Sequence, residues 1–158
     1  MSNNTSNISG VSFDLTGLKE IVDTFISTYK TTLESKGKRA TGNLINNIKS
    51  KIKVNGKYVI ISLNLEDYWK YVEYGRRPGK FPPVDKIREW IRVKPILPQP
   101  QNGKLPTANQ LAFLIGRSIA RNGIKPTNAL KQSMNDFDLV GKIYKYFEDE
   151  FQKQISEI

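Results

Sequence analysis

Apolar residues at Leu15, Leu18, Val22, Phe25, Tyr29 and Leu33 recur in steps of three and four, with polar residues between them. This spacing keeps one side of a helix apolar and predicts an amphipathic helix from about residue 14 to 35, ending before Gly37. The segment before it, Met1 to Asn7, is polar and uncharged. Residues 1–12 are therefore expected to be a frayed, disordered leader rather than a signal peptide. Further on, Asn55-Gly56 is the pair that best tolerates positive φ at both central positions of a tight turn. A turn centred there pairs Val54 with Lys57, Ile52 with Val59, Ser50 with Ile61 and Ile48 with Leu63. That register gathers Ile48, Ile52, Val54, Val59, Ile61 and Leu63 on one face. Lys49, Lys51, Lys53, Tyr58, Ile60 and Ser62 fall on the other. One apolar face and one mostly polar face describe a hairpin covered on one side by helices.

Residues 66–74 read as a short helix or turn closed by Gly75. Seven of the eight prolines then fall between residues 78 and 106. Within that window Val84, Ile87, Trp90 and Ile91 keep helical spacing after Pro82-Pro83, which predicts a short helix, and Pro95 to Pro106 is expected to be extended. Thr107-Ala-Asn-Gln110 is a capping box opening a helix that carries Leu111, Leu114, Ile115 and Ile119 and stops at Asn122-Gly123. A shorter helix runs from Pro126 to about Met134. Phe137, Val140, Tyr144, Phe147 and Phe151 form an aromatic stripe on a C-terminal helix. The expected class is α+β: a small antiparallel sheet with a central hairpin, packed by N- and C-terminal helices. Residues 13–158 form a single domain with an inserted, proline-rich helical arm at about 75–106.

Composition narrows the chemistry. The chain of 158 residues contains neither cysteine nor histidine, which excludes a disulfide framework, thiolate or imidazole metal sites and every nucleophile–histidine pair. Its apolar runs are too short for a membrane span. The carboxylate clusters Glu66-Asp67 and Glu148-Asp-Glu150 lack metal-ligand spacing, so neither an enzyme nor a bound cofactor is expected. The net charge of +10 is uneven: residues 36–132 carry twenty basic and five acidic groups, and both ends are mildly acidic. Such a body is suited to polyanions or to acidic protein surfaces, while a solvated lysine surface accounts for it equally well.

Three segments carry interaction chemistry. Lys49, Lys51 and Lys53 line one strand face, where they either meet DNA or an acidic surface or keep an edge soluble. Residues 107–134 could be read as helix-turn-helix, with Arg117, Arg121, Lys125 and Lys131 near phosphates and Asn128 and Gln132 near bases; two helices packing on the sheet is the simpler reading. Arg76 and Arg77, held between Gly75 and Pro78-Gly79, are suited to bidentate carboxylate contacts, with Glu73 on a neighbouring copy as partner or, more simply, as a local one. Tyr71, Glu73, Tyr74, Gly75, Arg76, Arg77 and Phe81 are accordingly the expected subunit-interface residues.

The order of these elements resembles the tail-completion or head–tail joining proteins of tailed bacteriophages. The resemblance rests on the helix at about 14–35, Thr41-Gly42-Asn43-Leu44, strands at about 46–54 and 57–65, Tyr68 through Gly75, and a helix beginning near Asp136. Arg76-Arg77 stands where that family usually has a small hydroxyl residue, and the segment 80–123 is longer than its usual connection. The resemblance implies a homo-oligomeric ring of six or twelve copies in the virion neck. Its implied partners are the portal or adaptor assembly and tail proteins, with transient, non-specific contact with passing double-stranded DNA and none with a membrane. The protein would pass through the host cytoplasm during assembly.

Overall fold

A computed structural model describes residues 5–8, 11–37, 43–55, 58–93, 96, 98–100 and 103–156. The apolar stripe of the first forty residues becomes α1, Thr16–Ser35, which buries Leu18, Val22, Phe25, Ile26, Tyr29 and Leu33. Its opposite face is threonine- and serine-rich, and Thr24, Ser27, Thr28 and Thr31 each donate to the carbonyl four residues back. Asp14 closes the N-terminal end by accepting from the Thr16 amide at 3.0 Å and its hydroxyl at 2.7 Å. Those two hydrogen bonds hold the Asp14 carboxyl below its ordinary range.

The hairpin forms from β3, Lys49–Asn55, and β4, Tyr58–Asn64, paired antiparallel. The register differs from the sequence expectation by two residues: Val54 faces Val59, Ile52 faces Ile61 and Ser50 faces Leu63. Asn55 thus pairs with Tyr58, and the turn residues Gly56 and Lys57 lie outside the described residues. The observed pairing opposes β-branched residues, whereas the expected one set Val54 against a lysine and Ser50 against an isoleucine. A slip of two preserves side-chain parity, so the two faces keep their expected composition. Ile52, Ile61 and Leu63 pack on the core that α1 dominates, beside Leu44 and Ile45 of α2, Asn43–Asn46, and the buried Ile48. The leader also differs from expectation. Thr5–Ile8 (β1) and Val11–Asp14 (β2) form a second antiparallel pair, and β1 lies beside β3 without joining its sheet.

Four more helices flank α1 or continue from the hairpin, and a fifth closes the chain. α3 spans Trp69–Tyr74, α4 Val84–Val93, α5 Ala108–Asn122, α6 Ala129–Phe137 and α7 Leu139–Ser156. Among the described residues this makes an α+β fold: seven helices, and a hairpin packed by the N- and C-terminal helices. α6 lies close on α1 because the residues between them are small. Ala129 and Ser133 are fully buried, and the Ser133 hydroxyl reaches Thr32 Oγ1 at 3.0 Å. The break between α6 and α7 falls at Asp138, in the left-handed region at φ 52°, whose carboxylate accepts from the Gly141 amide. α7 also packs on α1, and the Tyr146 hydroxyl donates to the Asp14 carbonyl.

α4 and α5 pack chiefly on each other and form a lobe beside this body. The expected Thr107–Gln110 capping box is present in both directions, the Thr107 amide donating to Gln110 Oε1 at 2.9 Å. The segment from residue 75 is therefore not an arm extended into solvent. The Phe81 ring rests on Gly116 of α5, 5.5 Å from the Phe113 ring, and Arg88 donates to Asn109 Oδ1 at 3.1 Å.

One core group is unsatisfied. The Tyr29 hydroxyl is buried without a hydrogen-bond partner, and burial, with a smaller contribution from the Glu73 carboxylate, pushes its pKa up to about 12. Burial likewise pushes Tyr146 up to about 12. Both folded values lie above the ordinary value of 10.0, so stability is undiminished below pH ~10 and falls as pH rises towards ~12. Tyr29→Phe removes the unpaired hydroxyl and is expected to stabilise the fold by about 1 kcal/mol at neutral pH. Urea unfolding followed across the alkaline range should show the variant losing less stability than the parent, with Tyr146 responsible for part of what remains.

Candidate interaction surface

The stretch that dominates the sequence, Tyr68 to Phe81, lies at the junction between body and lobe. α3 turns Trp69 and Val72 onto the core and Tyr71 and Tyr74 outwards. Tyr68 accepts the Leu44 amide on its hydroxyl at 3.0 Å, and the Trp69 and Tyr74 rings lie 5.8 Å apart.

Glu73 points the other way and is only 2 % exposed. Its Oε2 accepts from the Leu130 amide at 2.8 Å and its Oε1 from the Lys131 amide at 3.1 Å. Those amides belong to the first turn of α6, where N–H groups have no partner within the helix. The residue that would ordinarily cap them, Asn128, sits in the left-handed region at φ 49° and makes no side-chain cap. Glu73 does so from a distant element, and its negative charge meets the positive end of the helix dipole. The backbone reinforces the join: the Thr127 and Asn128 amides donate to the Glu73 carbonyl at 3.1 Å, and the Thr127 hydroxyl donates to the Val72 carbonyl at 2.7 Å. The carboxylate expected to pair with an arginine of a neighbouring copy is thus occupied inside the fold. Sequence reasoning missed this because the N–H groups it serves lie 57 and 58 residues away.

Immediately beyond, two chain segments cross between body and lobe. Arg76 and Ile124 form an isolated antiparallel bridge, the Arg76 amide donating to the Ile124 carbonyl at 2.9 Å and the Ile124 amide returning the bond at 2.8 Å. Gly75 and Gly123 flank the bridge with φ of 71° each. A Cβ on Gly75 would lie 2.2 Å from the Ile124 carbonyl oxygen, and one on Gly123 would lie 2.2 Å from that of Arg76. Both positions need glycine for conformation and for clearance. The Gly79 amide extends the join to the Ala120 carbonyl at 2.8 Å.

This geometry sorts the expected interface residues. Gly75 is structural. Arg76 is half-buried and donates to the Lys80 carbonyl at 2.8 Å. Arg77 is exposed and makes no ion pair among the described residues. Tyr71, Tyr74 and Phe81 remain accessible. Lys49, Lys51 and Lys53 are exposed on the outer face of the hairpin, beside exposed Tyr58 and Ile60. The segment 107–134 does not present a packed helix-turn-helix, because α5 packs mainly on α4 and α6 on α1. Among the described residues, no group of three or more acidic side chains could hold a metal ion, and no helix is long and apolar enough to cross a membrane.

The C-terminal helix departs from its expected role. α7 faces α1 with Ile143, Tyr146 and Glu150, while Val140, Tyr144, Phe151 and Ile155 are exposed. Of the aromatic stripe read from the sequence, Phe137 packs on the core, 6.0 Å from the Phe25 ring. The chain matches no protein-family model, no curated protein and no solved structure.

Glu73→Ala leaves the first turn of α6 uncapped and should cost about 3 kcal/mol; Glu73→Gln, keeping one acceptor, should cost about half as much. Gly123→Ala should cost about 2 kcal/mol through its positive φ and the blocked approach of Arg76. Urea unfolding of the three variants, followed by circular dichroism, measures each loss.

Proposed function

We propose that this chain is a non-enzymatic structural protein of a tailed-phage virion, assembling into a ring in the neck that joins the portal and head-completion assembly to the tail. The observation that carries this reading is the distribution of exposed apolar side chains. Tyr58 and Ile60 lie on the outer sheet face, Tyr71 and Tyr74 on α3, Phe113 and Leu114 on α5, and Val140, Tyr144 and Phe151 on α7. So many separate apolar surfaces on one 158-residue chain are the mark of a subunit covered by neighbours on several sides. The order of sequence elements shared with the tail-completion family supports the same role.

In this role the α1-centred body is the rigid part of each subunit, and the junction fixes the lobe's direction. The hairpin face of Lys49, Lys51 and Lys53 meets acidic protein surfaces or the passing genome. Contact with DNA would be weak, because firm neutralisation of phosphates would retain the genome during ejection. Arg77, having no internal partner among the described residues, is the arginine suited to an adjoining subunit.

Mass spectrometry of purified particles, with a reconstruction of the neck, tests the role directly: the protein should be a stoichiometric component at the head–tail junction. Its absence from finished particles would exclude the role. The purified protein should also bind duplex DNA without sequence preference and only at low salt. Selective binding with a steep salt dependence would favour a DNA-binding regulator instead.

A further inference from the structure

Two exposed apolar surfaces on this chain are complementary to each other. The first lies on α7, where Tyr144, Phe147 and Phe151 line a shallow hollow with Glu148 at its edge. Tyr144 is 76 % exposed. Spacings of three and four residues set these side chains along one side of the helix. Glu148 makes no ion pair among the described residues.

The second surface lies on the lobe. Leu105, Phe113 and Leu114 line a hollow at the start of α5, and Phe113 is 54 % exposed. Arg117 follows Phe113 by four residues and Leu114 by three, so it emerges between them, and Arg121 continues the row one turn later. Neither arginine makes an ion pair among the described residues. The surrounding charge has the same sign: residues 78–125 carry nine basic and two acidic groups. Residues 136–158 carry three basic and six acidic groups.

We infer that the α7 stripe of one copy docks on the α5 surface of a second copy, with Glu148 set beside Arg117. Pairing either surface with its own copy about a two-fold axis brings like charges together at the centre, Arg117 against Arg117 or Glu148 against Glu148. Joining the unlike surfaces pairs opposite charges and leaves both apolar rows covered. The two surfaces belong to elements that do not pack together within one chain. The contact is therefore heterologous, and each copy retains one free surface of each kind, so the contact propagates until it closes on itself. For its closed form this inference rests on the ring proposed above. The contact itself concerns purified protein and stands or falls without particles.

The test uses two double variants of the full chain, both at exposed positions: Tyr144→Ser with Phe151→Ser, and Phe113→Ser with Leu114→Ser. Circular dichroism first establishes that both fold. In sedimentation velocity over a concentration series the parent chain should form higher oligomers. Each variant alone should associate at least tenfold more weakly, and an equimolar mixture should give a one-to-one dimer that grows no further. Charge exchange gives a second readout: Glu148→Arg or Arg117→Glu alone should weaken association, and the two together in one chain should restore it. A parent chain that stays monomeric at its highest soluble concentration overturns the inference. So does a Phe113→Ser, Leu114→Ser variant that still associates as the parent does, which would mean that α7 pairs with itself. Particles that contain the protein while either overturning result holds would leave the neck role standing and remove only this contact. Assembly of purified protein that is missing from particles would do the reverse.

Discussion

The amide groups at the start of α6 face the interior, and a helix cannot end there unless something accepts their hydrogen bonds. Asn128 has turned into the left-handed region and does not cap them, so the acceptor must come from elsewhere in the chain. Glu73 supplies both oxygens from α3. That one carboxylate decides much of the remaining geometry. It fixes α3 against α6, which turns Tyr71 and Tyr74 outwards, and it brings residues 72–76 alongside 123–128 closely enough for the backbone bridge between Arg76 and Ile124 to form. The two left-handed glycines are the local adjustment that this approach requires. A carboxylate held by two amides and buried so completely is difficult to exchange for any other side chain, because no other supplies two acceptor oxygens and a negative charge at that reach.

From this junction follows the division of the molecule. The body is organised by α1, which offers its apolar side to the hairpin and receives α6 and α7 on its flanks. The lobe of α4 and α5 has its own small contact zone around Phe81, Ile87 and Gly116, and is tied to the body by two backbone segments rather than by a broad core. Basic groups concentrate on the lobe and on the hairpin's outer face, and acidic groups on the C-terminal helix. Charge and exposed apolar area are thus separated along the chain in a way that favours contact between unlike parts of different molecules over collapse of one molecule on itself.

The comparison of sequence with structure is instructive where the two part. The hairpin register moved by two residues, yet its faces were unchanged, because alternation in a strand is a property of parity and survives an even slip. The proline-rich segment was correctly divided into a helix and a capped helix, yet it lies on its own lobe instead of reaching outwards. Prolines restrict backbone angles but say nothing of what the restricted chain rests against. The residues 5–14, polar and uncharged at their start, pair into strands despite the weak local signal. The aromatic stripe of α7 was legible as a stripe. Whether it faced a core or solvent was not, since Ile143 and Tyr146 offer a second apolar side at equally good spacing.

What the sequence determined by itself is the set of elements: the stripe of α1, the two faces of the hairpin, the capping box at Thr107 and the glycine stops at Gly75 and Gly123. Each of these depends on residues within a turn or two of one another, where periodicity, capping and backbone sterics act without reference to the rest of the chain. Only the tertiary structure decided that Glu73 is a cap and not an interface charge, that Arg76 is held internally while Arg77 is free of ion pairs among the described residues, and that α7 leaves aromatic rings in solvent. These outcomes depend on which donors meet which acceptors across more than fifty residues of chain, and on which of two apolar sides reaches the core first. Local spacing carries no information about either.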